Sequence, residues 1–131
     1  MTFDEFRNRI LYHKVVSWNG NTITLDDGLT IAIEEPEQDC CASASGRFTA
    51  VTLDAAITDV TEPHYTHWED YDTYGCTAVV KMLHNQNLIC QAEADADAGN
   101  GGYYYSIASF VITVPNRKKT EYVHFVGSDD K

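Results

Sequence analysis

The sequence predicts a mainly β (α+β) fold, a small antiparallel β-barrel or sandwich of about eight strands with one short N-terminal helix. Two observations predict this class. The chain has 131 residues, 44% of them hydrophobic and 22% charged, which is the composition of an ordinary globular domain. Most of it consists of short segments of alternating apolar and polar residues, separated by Gly, Asn and Asp turns. No repeat or domain boundary interrupts this pattern, so residues 1–131 are expected to form a single domain.

The N-terminal helix is predicted at about residues 3–12. Thr2 followed by Glu5 fits a capping box, in which two side chains satisfy free backbone N–H groups of the first turn. Phe6 and Ile10 then follow at helical spacing. Every later element is predicted to be a strand.

A β-meander is predicted at about residues 14–34. Asn19-Gly20 is a two-residue hairpin signal, because both turn positions accept a positive φ. Asp27-Gly28 marks the second turn of the meander. The acidic residues at 34–39 are expected to form a loop that ends it.

The rest of the chain is predicted to consist of strands around one long loop. The loop is expected at about residues 62–75, which hold Pro63, Gly75 and a run of acidic and aromatic residues, and it is the natural place for contacts with a partner. β-Strands are expected to occupy about residues 76–126. The strands predicted after the meander are 47–53, 56–61, 76–84, 88–97, 103–114 and 121–126.

The strand predicted at 88–97 has two different faces. Alternation places small apolar side chains, beginning with Leu88, on one face and Glu93, Asp95 and Asp97 on the other, about 7 Å apart. Like charges at this spacing are tolerated only if they are solvated or paired, so the acidic face is expected to be exposed. A solvated face, a cation site and a surface that imitates a nucleic-acid backbone are all compatible with this row.

Aromatic residues punctuate the predicted long loop and open the strand at 103–114. Tyr and Trp side chains give large, rigid and amphipathic contact areas, and they are enriched at binding hot spots. The same rings could instead form a lid over a sheet face, and the sequence leaves both interpretations open. The residues predicted to bind a protein partner are Tyr65, Trp68, Glu69, Asp70, Tyr71, Asp72, Tyr74, Glu93, Asp95, Asp97, Tyr103 and Tyr105.

The charge of the chain restricts its partners. Lys and Arg number 9 and Asp and Glu number 20, which gives a formal net charge of −11. Between residues 15 and 116 there are fifteen acidic residues and two basic ones, Arg47 and Lys81. Such a field argues against direct binding of nucleic acid or of an anionic membrane, and it favours a basic protein partner. An oligomer is compatible with the sequence.

A cytoplasmic location is expected. No apolar run approaches the roughly 20 residues that a membrane helix needs. The first residues also lack the basic and apolar regions of a signal peptide. The four cysteines are therefore expected to be reduced.

Weak candidate metal ligands are Cys40, Cys41, His64 and His67. A zinc site normally shows two short-spaced pairs of ligands, and this chain has no Cys-x-x-Cys pair. The two adjacent cysteines could also serve as nucleophiles beside a histidine base, but no signature of a catalytic triad or of a phosphate-binding loop accompanies them. We therefore expect no enzymatic activity and no cofactor.

Several stretches together resemble a small uncharacterised domain of actinobacteria and their bacteriophages. They are residues 15–28, Asp39-Cys40-Cys41-Ala42, residues 56–60, Leu83-His84-Asn85 and Gly101-Gly102-Tyr103. The resemblance covers most of the chain from Lys14 to Val114, and the paired cysteines are its most distinctive mark. It implies a phage or host-cytoplasm setting and brings no activity or catalytic residues with it.

The function expected from these observations is that of a non-catalytic protein-interaction module, such as a phage accessory protein that binds a host or phage protein through an acidic, aromatic surface. Three alternatives stay open at this point. They are a structural virion component (a decoration or tail accessory protein), a metal-dependent thiol site and an acidic DNA mimic.

Overall fold

The computed structural model describes residues 1–38, 41–102, 104–116 and 120–130, without the side chains of residues 37 and 38. Within these ranges the chain forms one α-helix and ten strands in two antiparallel sheets, so the predicted mainly β class is confirmed, with the sheets arranged as a sandwich. The elements are α1 (Phe3–Ile10), β1 (Val15–Asn19), β2 (Thr22–Leu25), β3 (Thr30–Gln38), β4 (Ala44–Thr49), β5 (Asp59–Val60), β6 (His64–Glu69), β7 (Tyr74–His84), β8 (Asn87–Asp97), β9 (Ser106–Thr113) and β10 (Thr120–Gly127).

The two sheets enclose an aromatic and aliphatic core. The first sheet has the order β1-β2-β3-β9-β10, and the second has the order β4-β8-β7, with β5 and β6 pairing in succession along the far edge of β7. Phe110 lies at the centre of the core, where its ring stacks on Phe125 at 4.3 Å and on Phe6 of α1 at 4.9 Å between ring centroids. The helix therefore closes one side of the sandwich with its apolar face.

The helix begins as predicted and ends two residues earlier. Glu5 N donates to Thr2 Oγ1 over 3.1 Å, which is the expected cap. The helix ends at Ile10 because Leu11 takes up an extended conformation and Tyr12 has a φ of 71°. Tyr12 N then donates to the carbonyl of Ile57 over 2.6 Å, and the chain continues alongside the segment that precedes β5.

The prediction of a long loop at residues 62–75 is wrong. Residues 64–69 form β6, which pairs antiparallel with the start of β7 and leaves a connection of only four residues, 70–73. The β-branched and aromatic residues of this segment favour a strand. Pro63 lies immediately before the strand, where its missing N–H costs nothing to the ladder. The prediction gave too much weight to Pro63 and to the acidic residues.

The prediction of an acidic loop at residues 34–39 is also wrong for residues 34–38, which the structure describes. β3 continues to Gln38 and pairs with β9 on both sides of a bulge between Glu34 and Glu37. Pro36 lies within this bulge, where a residue without an N–H can be accommodated. Residue 39 lies outside the described residues.

A second bulge changes the faces predicted for β8. Met82 pairs with Cys90 but Leu83 pairs with Leu88, so Ile89 is the extra residue. Ile89 and Cys90 are consequently both buried, and Leu88, predicted to lie on the apolar face, is 41% exposed. From Cys90 to Asp97 the predicted alternation is correct.

Other boundaries shift by a few residues. The first turn is formed by Gly20-Asn21, one residue later than predicted, because Asn19 still pairs with Thr22. The strand predicted at 103–114 begins at Ser106. The strands predicted at 47–53 and 56–61 are β4 and the two-residue β5.

Candidate functional site

The hairpin of β6 and β7 carries most of the residues predicted to bind a partner. Asp70 N donates to Thr73 O over 2.9 Å across its connection, and Tyr71 N donates to Asp70 Oδ1 over 2.7 Å. These two bonds fix the backbone of the turn. We call Glu69, Asp70, Tyr71 and Asp72 the hairpin tip.

Tyr71 is the most exposed aromatic residue of the described chain. Its relative exposure is 101%, so its ring makes almost no contact with the rest of the protein. The other three members of the hairpin tip are acidic and exposed as well. Tyr71 is therefore an aromatic side chain presented to solvent within a ring of negative charge.

Trp68 anchors the hairpin on the outer face of the second sheet. Its indole Nε1 donates to Asp95 Oδ1 over 3.2 Å. The ring covers Gly75, its pairing partner, where a Cβ atom would lie 2.3 Å from Trp68 Cζ2. Because the ring is only partly exposed and its N–H is used internally, Trp68 fixes the hairpin on the sheet.

Tyr65 and Tyr74 connect the hairpin to the C-terminal end of β10. Tyr74 Oη donates to Asp129 Oδ1 over 2.7 Å, and this bond, with a smaller contribution from burial, raises the pKa of Tyr74. Tyr65 Oη donates to Phe125 O over 3.1 Å, and burial raises the pKa of Tyr65. Both rings are half-buried. They match the alternative interpretation of the aromatic run, in which rings cover part of the fold.

Glu93, Asp95 and Asp97 lie on the outer face of β8, as predicted. Glu93 accepts from Thr49 Oγ1 at 3.0 Å, and Asp97 accepts from the backbone N–H and the hydroxyl of Ser43 at 3.1 and 3.0 Å. Asp95 accepts from Trp68 and from the Thr77 hydroxyl. Each carboxylate thus holds a neighbouring strand or side chain in place.

The outer face of the second sheet has a shallow depression of about 340 Å³ beside this acidic row. Arg47 of β4 pairs with Glu93 across the two strands and lines the depression together with Asp95. The face therefore mixes both signs of charge. A row of carboxylates interrupted by Arg47 and bonded within the fold is a poor copy of a nucleic-acid backbone.

Tyr105 precedes β9 and lies away from the hairpin tip. It is half-buried, and its hydroxyl occupies the space beside Gly127, where a Cβ atom would lie 2.8 Å from Tyr105 Oη. It packs on the end of β10 and does not form part of the hairpin tip. Tyr103 and Cys40, which were also predicted site residues, lie outside the described residues.

The three candidate zinc ligands that the structure describes, Cys41, His64 and His67, do not lie together. His64 and His67 are three residues apart on β6, so their side chains lie on opposite faces of the strand. Cys41 lies before β4, with its carbonyl against Gly99. The described candidates Cys41, His64 and His67 therefore do not form a cluster of ligands.

A different cluster of potential ligands joins the end of α1 to the β2–β3 turn. His13, Asp26 and Asp27 place one ligand atom each within 4.8 Å of one another. These groups already pair with protein atoms: His13 Nδ1 lies 2.8 Å from Asp26 Oδ1, and Arg9 Nη2 lies 2.8 Å from Asp27 Oδ2. The hydrogen bond from His13, opposed by some desolvation, lowers the pKa of Asp26. The sequence contains no spacing signal that would have joined residues this far apart.

Two of the three described cysteines lie in the core. Burial raises the pKa of the Cys90 thiol to about 12, and burial also raises the pKa of the Cys76 thiol. Both behave as small apolar core residues, whereas Cys41 is exposed. A thiol with a raised pKa is a poor nucleophile at neutral pH.

The fold and this surface define a small β-sandwich that presents an exposed acidic hairpin. Comparison with protein families shows that the chain belongs to DUF7448, a domain of unknown function, whose model matches residues 8–111. No curated protein and no solved structure matches the chain significantly. No helix in the described ranges is long and apolar enough to cross a membrane.

Proposed function

We propose that this protein is a non-catalytic interaction module that binds a basic protein partner through the hairpin tip. The observation that supports the proposal is the full exposure of Tyr71 on a hairpin whose base is held by Trp68 and Tyr74. Aromatic side chains dominate the energetics of protein interfaces because they bury a large area, and the ring of Tyr71 is fully available for burial by a partner.

The rigidity of the hairpin favours tight binding. Trp68 bonds to Asp95, Tyr74 bonds to Asp129, and the turn itself is closed by the bond between Asp70 and Thr73. A loop that is ordered before binding loses less conformational entropy when a partner docks. Tyr71 can therefore act as an anchor at a small entropic cost.

The charge of the hairpin tip selects the partner. Three carboxylates surround Tyr71, and the whole chain carries a formal charge of −11. A partner with a basic patch is attracted over about 10 Å at moderate salt, whereas acidic proteins and nucleic acids are repelled. The setting that we propose, a phage accessory protein in the host cytoplasm, rests on the resemblance of the sequence to a domain of actinobacteria and their phages.

Affinity capture with two matched tyrosine variants tests this proposal. The tagged protein, Tyr71→Ala and Tyr12→Ala are each used to capture proteins from a lysate of the native host. Tyr12 is 75% exposed and follows α1, so its variant controls for the loss of any exposed ring. We expect the wild type and Tyr12→Ala to capture the same basic protein in equal amounts. Tyr71→Ala should capture at least about tenfold less of it.

The salt dependence provides a second criterion. Binding steered by the hairpin tip weakens as the ionic strength rises from about 0.05 to 0.5 M. Asp70→Asn combined with Asp72→Asn should reduce this dependence and slow association more than it speeds dissociation. A captured set that is the same for Tyr71→Ala, or that is insensitive to salt, contradicts the proposal.

A further inference from the structure

The peptide groups of β6 alternate in direction, and one hydrogen bond of β7 fixes the phase of this alternation. Ala98 N donates to Tyr74 O over 2.9 Å, so the peptide groups of Tyr74 face β8. Those of the next residue, Gly75, therefore face β6. Gly75 pairs with Trp68, so the N–H and C=O groups of Trp68 face β7.

It follows that the N–H and C=O groups of Tyr65, His67 and Glu69 point away from β7. In the described part of the chain, β6 pairs with β7 alone, and no backbone hydrogen bond is made on the other side of β6. Six backbone polar groups thus form an open edge of about 15 Å, which is long enough to template a further strand.

The neighbouring edges of the second sheet are covered. The segment before β5 bonds to the chain that leaves α1, where Tyr12 N donates to Ile57 O. The free edge of β4 bonds to the first sheet: Phe48 N donates to Gly20 O over 2.9 Å, and Trp18 Nε1 donates to Phe48 O over 3.1 Å. The described residues do not cover the edge of β6 in this way. This edge adjoins the hairpin tip.

We propose that the edge of β6 binds an extended segment of the protein partner as an additional antiparallel or parallel strand. This inference rests on the proposed function, because it assigns the binding mode of the partner that the hairpin tip attracts. Main-chain hydrogen bonds to Tyr65, His67 and Glu69 would provide affinity, and the side chains on the two faces of the strand would provide specificity.

The charges around the edge specify a basic segment. Glu69 projects from the same face of β6 as Tyr65 and His67. Its pairing partner Tyr74 lies on that face as well and donates its hydroxyl to Asp129. Lys or Arg side chains on this face of the bound segment would meet the carboxylates of Glu69 and Asp129. The intervening side chains would lie on the opposite face, beside Trp68, where apolar or β-branched residues fit.

A second copy of this chain is a poor occupant of the edge. Each chain carries a formal charge of −11, so electrostatic repulsion opposes the approach of two copies at this edge. A basic segment gains from the same field that repels the second copy.

Nuclear magnetic resonance of the ¹⁵N-labelled protein tests the inference with a defined probe. The probe is an end-blocked peptide of alternating Lys and Val residues, and its control is the same peptide with alternate backbone amides methylated. In the free protein we expect fast hydrogen exchange at the amides of Tyr65, His67 and Glu69 and slow exchange at Thr66 and Trp68. The probe should shift and protect the first three amides, and the methylated peptide, which has the same charge, should not.

Three results would overturn the inference. They are slow exchange of the amides of Tyr65, His67 and Glu69 in the free monomer, absence of any shift at about 1 mM probe, and equal shifts with the methylated peptide. Formation of a dimer through β6, detected as a doubled mass in solution with protection of the same amides, would also overturn it in favour of a second copy.

Variants at His67 separate the backbone group from the side chain. His67→Pro removes the outward N–H and leaves the ladder to β7 intact, and Pro is tolerated on an edge strand. His67→Ala removes the side chain and keeps the N–H. We expect His67→Pro to weaken probe binding at least about tenfold and His67→Ala to change it less than about threefold. If His67→Pro does not fold, Glu69→Pro tests the next outward N–H.

The two proposals fail separately. If a host partner is retained in a Tyr71-dependent way but equally well by His67→Pro, the edge inference is wrong and the proposed function stands. If the probe binds the edge but no partner depends on Tyr71, the proposed function is wrong.

Discussion

The ring of Trp68 occupies the space that a side chain at Gly75 would need. An alanine Cβ at Gly75 would lie 2.3 Å from Trp68 Cζ2 and 2.4 Å from the carbonyl oxygen of Ala96. Only glycine, which has no Cβ, at position 75 lets Trp68 lie against the strand and donate to Asp95. This contact fixes the base of the hairpin that presents Tyr71.

The first prediction is that Gly75→Ala destabilises the fold and displaces Trp68. Since one of the blocked contacts is with backbone, relief requires strand movement, and we expect a loss of about 2–3 kcal/mol in the free energy of unfolding. Urea denaturation measures the loss, and Trp68 fluorescence, recorded with Trp18→Phe in both proteins, should shift to longer wavelength. Gly20→Ala is the control, because a Cβ at Gly20 would meet no other atom. Its only cost is the strain of an alanine with a left-handed φ, about 1 kcal/mol. An unchanged Trp68 emission in Gly75→Ala would contradict this packing.

The second prediction concerns the β7–β8 turn. Asn85 and Gln86 both have a positive φ, 47° and 71°, which is the conformation of a two-residue turn that favours Gly at the second position. Gln86→Gly should therefore raise the free energy of unfolding by about 0.5–1 kcal/mol, because glycine adopts this φ without strain. Asn87→Gly, in the strand that follows, is the control and should lower it. If both variants changed the melting temperature by the same amount, the positive φ assigned to Gln86 would be contradicted.

The third prediction concerns acid stability. The His13 hydrogen bond holds the pKa of Asp26 below 3.8, the ordinary value for an aspartate. The stabilisation from a carboxylate with a lowered pKa is fully present above 3.8 and is lost as the pH falls below that value through the folded-state pKa. The difference in unfolding free energy between the wild type and Asp26→Asn should thus be constant near neutral pH and shrink below about pH 4. Urea denaturation of both proteins at each pH measures this difference, and a difference that stays constant in acid would contradict the bond between His13 and Asp26.

The fourth prediction concerns the thiols. Cys41 is exposed, whereas Cys76 and Cys90 are buried and burial raises the pKa of both thiols, that of Cys90 to about 12. Iodoacetamide at about pH 8 should therefore modify Cys41 in the native protein and reach Cys76 and Cys90 only in denaturant. Peptide mass spectrometry identifies each adduct. Rapid modification of Cys90 in the native state would contradict its place in the core.

Local signals located much of this fold correctly. The capping box at Thr2 and Glu5 predicted the start of α1, and the alternation from Cys90 to Asp97 predicted which face of β8 is buried. Both patterns depend on neighbouring residues alone, so the sequence contains the whole signal. The two segments wrongly predicted as loops, over β3 and β6, are those where a proline next to acidic residues imitates a loop.

The candidate site was harder to predict for the same reason. Tyr65, Trp68, Tyr71 and Tyr74 are alike in the sequence, yet only Tyr71 is fully exposed. The other three find partners at Phe125, Asp95 and Asp129, which are 27 to 60 residues away along the chain. No local pattern could have separated them.

Composition, charge and periodicity by themselves determined that this chain is a mainly β protein with a capped N-terminal helix and a strongly acidic surface, because each of these properties is additive or local. The tertiary structure decided which carboxylates are tied to the fold, which tyrosine of the hairpin is fully exposed and which side of β6 has no partner strand among the described residues. Those properties depend on what the second sheet and the C-terminal residues bring beside each group, and such contacts arise only when distant segments pack together.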